Sequence, residues 1–216
     1  MSTNQPNPNP PIDARKRELR HELLAQRRHT TDAERAAAGE RCAASLFALP
    51  LFSKPRTTPL TMACHVSMGT EISTLPILNE AASRGIELLV PRLGSGREIG
   101  WSRLTSPDEV TALHHEHAAG DGHMPRPDEP DTGTLPAEAL ADADIIVLPA
   151  LAVDHGGGRL GRGAGWYDHA LEYARPAAPR IAMCWSCEFV ATPLPTQPHD
   201  MPVDAVLTPQ RLVFIQ

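Results

Sequence analysis

From Ile145 to Asp168 the chain reads IIVLPALAVDHGGGRLGRGAGWYD. The run Ile145–Leu148 is short, wholly apolar and stopped by Pro149, as expected of a strand buried in an α/β sheet. Beyond it Gly156, Gly157, Gly158, Gly161, Gly163 and Gly165 lead into a helix expected to begin near Trp166. Glycine at this density lets successive backbone N–H groups converge on a ligand, and a helix start adds the positive end of its dipole. Arg159 and Arg162 add guanidinium forks that match phosphate oxygens. Ligands of open α/β sheets bind beyond the carboxyl ends of the strands, so the segment predicts a phosphate-binding loop and an enzyme. No G-x-x-x-x-G-K-[ST] occurs, and the spacing from Gly158 to Gly163 is G-x-x-G-x-G rather than the dinucleotide fingerprint G-x-G-x-x-G.

Outward from this segment the same grammar repeats. Apolar runs at Leu60–Val66, Ile86–Val90, Ile181–Cys184, Ala205–Leu207 and Leu212–Ile215 read as strands. Between them Leu75–Arg84, Pro136–Ala141 and Trp166–Ala174 read as helices, and two more are expected at Asp13–Arg28 and from Thr31 or Asp32 to Leu49. The second has capping side chains in Thr31–Asp32 and a stop in Pro50. Such alternation predicts one three-layer α/β domain over residues 13–216, a mostly parallel sheet flanked by helices, Rossmann-like without the dinucleotide fingerprint. The opening MSTNQPNPNPPI is polar and proline-rich, and residues 1–12 are expected to be a disordered tail. A polar stretch from Thr105 to Thr134 predicts a partly ordered excursion or lid.

At 216 residues the chain fits one domain with a sizeable core, and its formal net charge of -6 argues against a nucleic-acid or anionic-membrane surface. No apolar run approaches the roughly 20 residues that span a bilayer, and the N-terminus lacks a secretory core. A cytoplasmic location and a monomer are expected. Cys184 and Cys187 have C-x-x-C spacing, but the first ends an apolar run and no second pair completes a zinc set, so both read as structural. His114, His115, His117 and His123 lie in polar sequence without metalloenzyme spacing and receive no role.

On the first helix, Lys16 and Arg20 fall within the arc of Ile12, Leu19, Leu23 and Leu24. Basic residues there either snorkel past the leucines to water or line an anion pocket. Asp168, three residues after the last glycine, either holds magnesium against a phosphate or merely favours the helix dipole. Asp204 stands just before the strand Ala205–Leu207.

The run RLGRGAGWYD, from Arg159 to Asp168, resembles the signature loop of the 5-formyltetrahydrofolate cyclo-ligases, also called 5,10-methenyltetrahydrofolate synthetases. KRELR at Lys16, TEIST at Thr70 with the later VPRL, and LPTQPHDMPVDAVLT at Leu194 are similar to further segments of that family, in the same order. The resemblance implies ATP- and magnesium-dependent cyclisation of 5-formyltetrahydrofolate, with or without a polyglutamate tail, to 5,10-methenyltetrahydrofolate, with ADP and phosphate released. It implies that ATP phosphorylates the formyl oxygen and that N10 then attacks the activated carbon. By the same resemblance ATP is held by Lys16, Arg20, Arg159, Leu160, Gly161, Arg162, Gly163, Ala164, Gly165, Trp166 and Tyr167, with Arg159 and Arg162 as the catalytic charges. Glu71, Val66, Met68, Trp166 and Tyr167 hold the folate, and Asp168 and Asp204 serve magnesium. Phosphoryl transfer needs positioning and charge neutralisation more than a protein nucleophile, which suits this residue set. A relative with sugar-phosphate or acyl chemistry, or a non-catalytic folate or nucleotide sink, are the alternatives.

Overall fold

A computed structural model describes residues 11–93, 99–113 and 133–215. Residues 1–10 of the expected tail, the four histidines assigned no role and most of the Thr105–Thr134 excursion lie outside it. The ordered elements begin with α1 (Ile12–Arg27) and α2 (Asp32–Phe47). A reciprocal cap starts α2: Thr31 Oγ1 accepts from Glu34 N at 3.2 Å, and the Glu34 carboxylate accepts from Thr31 N at 2.7 Å. Then come β1 (Thr61–Cys64), α3 (Leu75–Ser83), β2 (Glu87–Leu93), β3 (Ile99–Leu104) and α4 (Pro107–Ala112). The remainder is β4 (Ile145–Pro149), β5 (Ala152–Asp154), β6 (Arg159–Leu160), α5 (Trp166–Ala170), β7 (Arg180–Met183), β8 (Phe189–Val190), β9 (Ala205–Leu207) and β10 (Leu212–Phe214).

Seven strands form the main sheet in the order β10-β9-β7-β4-β1-β2-β3. Its five central strands are parallel to one another, and the edge strands β3 and β10 pair antiparallel. Side chains alternate between two cores, as strand pleating requires. Met62, Ile145, Val147, Ile181 and Ala205 face the core shared with α2 and α3, whereas Ala63, Ile146, Leu148, Ala182 and Val206 face the core shared with α5. The expected class is therefore the observed one, a single mostly parallel α/β sheet covered on both faces.

Three corrections accompany that agreement. The segment Ile99–Leu104 is a strand whose Gly-Trp-Ser centre hides its periodicity; pairing with β2 from Leu88↔Leu104 to Leu93↔Ile99 makes it one. Pro136–Ala141 is a six-residue 3-10 turn at Ala137–Asp142, and the helix expected to run to Ala174 ends at Ala170, followed by a 3-10 turn at Leu171–Tyr173. The glycine segment contributes β5 and β6 to a second sheet, β6-β5-β8, which carries α1: Leu23 packs with Leu151, Ala152 and Leu160.

Chain direction across the main sheet locates the ligand crevice. From β1 the chain moves outward to β2, but β4 returns to the other side of β1 and is followed by β7 and β9. The reversal lies between β1 and β4, so the segments leaving their carboxyl ends, at His65 and at Ala150, diverge and leave a cleft. No helix of the described residues is long and apolar enough to cross a membrane.

Candidate active site

A cavity of about 470 Å³ occupies this switch point, lined by His65 and Val66 after β1, Pro149, Ala150 and Leu151 after β4, and the continuous run Arg159 to Asp168. Helix α1 closes one side with Asp13, Lys16 and Arg20, and the C-terminal loop contributes Gln197, His199 and Asp200. Met68, Glu71 and Pro91 complete the wall. Each ATP-loop and folate-side residue expected from the sequence thus lines one cavity, and so do Lys16 and Arg20.

The charges are prearranged. Lys16 is buried, with Nζ 2.5 Å from Asp200 Oδ2 and 3.2 Å from Gln197 Oε1, which resolves the choice between snorkelling and pocket wall. Arg20 donates from Nε to the Gly161 carbonyl at 2.9 Å, tying α1 to the loop. Arg159 reaches Asp168 Oδ1 at 2.6 Å. Arg162 donates from Nε to Glu71 Oε1 at 2.9 Å, so an arginine of the phosphate-type loop touches the carboxylate expected to hold folate. Glu71 Oε2 also accepts from Met68 N at 3.0 Å.

Backbone geometry explains the glycines near the cavity. Gly163 has φ +103° and Gly165 φ +71°, conformations that L side chains rarely adopt, and a Cβ on Gly163 would stand 3.2 Å from Arg20 Cζ. The upstream glycines behave otherwise than expected. Asp154 Oδ1 accepts from both Gly156 N and Gly158 N at 2.9 Å, so a buried carboxylate consumes those amides and the turn serves the β5–β6 hairpin. The part of the loop that lines the cavity starts at Arg159.

The acidic pair expected to serve magnesium separates. Asp168 lines the cavity, but Asp204 does not: its Oδ2 accepts from Arg180 N at 2.8 Å and Nε at 3.1 Å beside β7. Asp200, four residues earlier, is the carboxylate that faces the cavity. Among the described residues no group of three or more His, Cys, Asp or Glu side chains is disposed to hold a metal. Magnesium commonly takes one or two carboxylates and completes its shell with phosphate and water; Asp168 and Asp200 are the cavity carboxylates that could serve in that way, and here they pair with Arg159 and Lys16.

Among the described residues five buried side-chain polar atoms have no hydrogen-bond partner: Trp101 Nε1, Ser102 Oγ, Trp185 Nε1, Arg159 Nε and Tyr167 Oη. An unpaired buried donor costs roughly 1–3 kcal/mol and is retained chiefly where a ligand or water satisfies it. Arg159 and Tyr167 belong to the cavity wall, whereas Trp101, Ser102 and Trp185 do not. Burial pushes the Tyr167 phenol well above its ordinary range, keeping it a donor. Trp166, also on the wall, meets Trp101 of β3 edge-on, with ring centroids 5.2 Å apart.

His65 and the pair Arg27–Glu188 carry no recognisable motif and emerge only from the three-dimensional arrangement. Arg27 lies seven residues after Arg20 and eleven after Lys16, about 20° to either side on the helix, hence on the cavity-facing stripe. Its Nε and Nη2 meet the two oxygens of Glu188 at 2.6 and 2.7 Å, and Nη2 also donates to the Ala150 carbonyl at 2.5 Å. Burial raises Glu188 above the usual carboxylate range, with Arg27 holding it back.

A family model described as the 5-formyltetrahydrofolate cyclo-ligase family matches residues 12–209. The chain belongs to that family. Among cyclo-ligase relatives, the 5-formyltetrahydrofolate cyclo-ligase of Mycolicibacterium smegmatis is 32% identical over 201 residues, covering 91% of this chain and 94% of its own. That of Mus musculus is 30% identical over 155 residues, covering 68% and 71%. The solved 5,10-methenyltetrahydrofolate synthetase of Aquifex aeolicus superposes with a TM-score of 0.69 at 27% identity, covering 93% of each chain. Cyclo-ligase membership thus spans all the elements that build the cavity.

Proposed function

We propose that this chain is an ATP-dependent ligase that cyclises 5-formyltetrahydrofolate to 5,10-methenyltetrahydrofolate with release of ADP and phosphate, working as a cytoplasmic monomer with residues 13–216 as the catalytic domain. Membership of the cyclo-ligase family supports the reaction. The observation that carries it to these residues is the contact of Arg162 with Glu71 at 2.9 Å, which joins a phosphate-suited wall to a pterin-suited one in a single cavity.

In this reading Lys16, Arg20 and the run Arg159–Tyr167 bind ATP, and the unpartnered Nε of Arg159 donates to a phosphate oxygen. Glu71 accepts from donors of the pterin ring between Val66 and Met68, with Trp166 and Tyr167 packing the reacting end of the folate. The formyl oxygen takes the γ-phosphoryl group, and Arg159 and Arg162 neutralise the charge on the transferring oxygens. N10 then forms its bond to the formyl carbon, and the carbon–oxygen bond to phosphate breaks after it. Asp168 and Asp200, rather than Asp204, would hold magnesium, which would supply further charge neutralisation at the phosphates. A polyglutamate tail is accommodated outside the cavity, since the reaction needs only the pterin and N10 enclosed.

The test is the absorbance of methenyltetrahydrofolate formed by purified protein with 5-formyltetrahydrofolate, ATP and magnesium. Product accumulates only when all three are present. A flat trace with protein that binds ATP overturns the reading.

A further inference from the structure

We propose that His65 is the general base that takes the N10 proton as the methenyl bridge closes. The proposal rests on the cyclo-ligase reading. N10 carries one hydrogen in the substrate. When its lone pair forms the N10–carbon bond, the nitrogen becomes cationic and must lose that proton. The carbon–oxygen bond then breaks, phosphate leaves with its electron pair, and the positive charge remains shared by N5 and N10. The proton passes to His65 and from there to the departing phosphate or to water.

The position of His65 suits this step. It is the first residue beyond β1, at the strand reversal between β1 and β4, and it lines the cavity. Its main-chain N donates to the Val147 carbonyl at 3.1 Å, and its Nδ1 stands 3.4 Å from the same oxygen. A carbonyl only accepts, so Nδ1 carries the hydrogen and Nε2 keeps a lone pair. The next residues along the wall are Val66 and Met68, on the expected folate side, and Arg162 of the phosphate-type loop reaches that side through Glu71.

The competing bases are already committed. Glu71 is held by Arg162 and by Met68 N, Asp168 by Arg159 at 2.6 Å, and Asp200 by Lys16 at 2.5 Å and Gln197 N at 2.6 Å. Asp13 and His199 reach the cavity from solvent-exposed positions. His65 alone combines burial, at 4% exposure, with a neutral acceptor. The charges that act on its ring are Glu71 from the loop before α3, Arg162 from the phosphate-type loop and Arg27 from α1. Burial outweighs Glu71 and the Val147 carbonyl and holds the imidazole below its usual 6.5, ready to accept a proton at neutral pH.

The experiment compares His65→Asn, which keeps a donor toward Val147 but offers no base, with His65→Ala. Wild-type kcat should fall on an acid limb below pH 6.5 as His65 becomes protonated. In His65→Asn kcat is expected to drop roughly 100-fold, the lower range for loss of general-base catalysis, with KM for both substrates within about threefold and the acid limb gone. Added imidazole should restore part of the His65→Ala rate in proportion to its neutral form. A folded His65→Asn with kcat within about threefold of wild type overturns the proposal, as does a loss that imidazole does not relieve and that leaves the acid limb in place. If one variant fails to fold, the other decides the question. A wild-type protein that makes no methenyl product is a different failure, that of the cyclo-ligase reading.

Discussion

Replacing Arg27 by methionine tests how α1 is held over the cavity. In the wild type the guanidinium and the Glu188 carboxylate are 4% and 2% exposed, so neither charge has water to fall back on. The variant leaves the carboxylate with Trp185 N at 2.8 Å and strips the Ala150 carbonyl of its Arg27 donor. Removing one member of a buried pair costs about 3–5 kcal/mol, because desolvation of the survivor is no longer offset. For a domain of this size each kcal/mol lowers Tm by roughly 2–4 °C, giving an expected fall of roughly 6–20 °C in a calorimetric scan. The pH dependence has a definite sign. A folded-state pKa raised above the unfolded value of 4.5 stabilises below that value and costs stability as pH rises through the folded one. Burial, the leading cause of the raised Glu188 value, persists in the variant while the opposing arginine is gone, so its deficit should shrink as pH falls from 7 toward 4.5. The double variant R27M/E188L, which removes both charges, should recover much of the loss. A single variant within about 1 kcal/mol of wild type, with no pH dependence of the difference, would mean that the pair behaves as an exposed one and does not anchor α1.

Two further expectations separate cavity from scaffold. Asp200→Asn should weaken magnesium–ATP use and raise the magnesium concentration needed for half-maximal rate several-fold, whereas Asp204→Asn, remote from the cavity and 42% exposed, should leave turnover within about twofold and shift stability by roughly 1 kcal/mol or less; equal losses of rate in both would show the carboxylates wrongly assigned. Burial pushes the Cys42 thiol up to about 12 and raises Cys64 and Cys184 further, while Cys187 is exposed. An aromatic disulfide reagent near pH 8 should therefore label one thiol of the native chain rapidly and the others only on unfolding; prompt reaction of two or more would contradict the packing.

Much of the fold was legible because its signals are local. Ile145–Leu148, Ile181–Cys184 and Ala205–Leu207 announce buried strands by composition, and Thr31–Asp32 with Pro50 brackets α2. Ile99–Leu104 was illegible because Gly100 and Ser102 break its pattern and pairing with β2 alone makes it a strand.

Local chemistry was enough to mark the α/β alternation, the glycine- and arginine-rich loop from Gly156 to Asp168 and the unusual basic stripe of Lys16 and Arg20, because helical periodicity, glycine's backbone freedom and side-chain charge act over a few residues. Which polar groups meet was settled in three dimensions. The fold sent Asp200 to Lys16 and Asp204 to Arg180 although only four residues separate the two carboxylates. It gave the amides of Gly156 and Gly158 to Asp154, set Arg27 against Glu188 across 161 residues of chain, and placed His65 at the strand reversal where the cavity opens. Such pairings join distant segments whose register depends on how the strands stack, and no short-range pattern in the chain records that register.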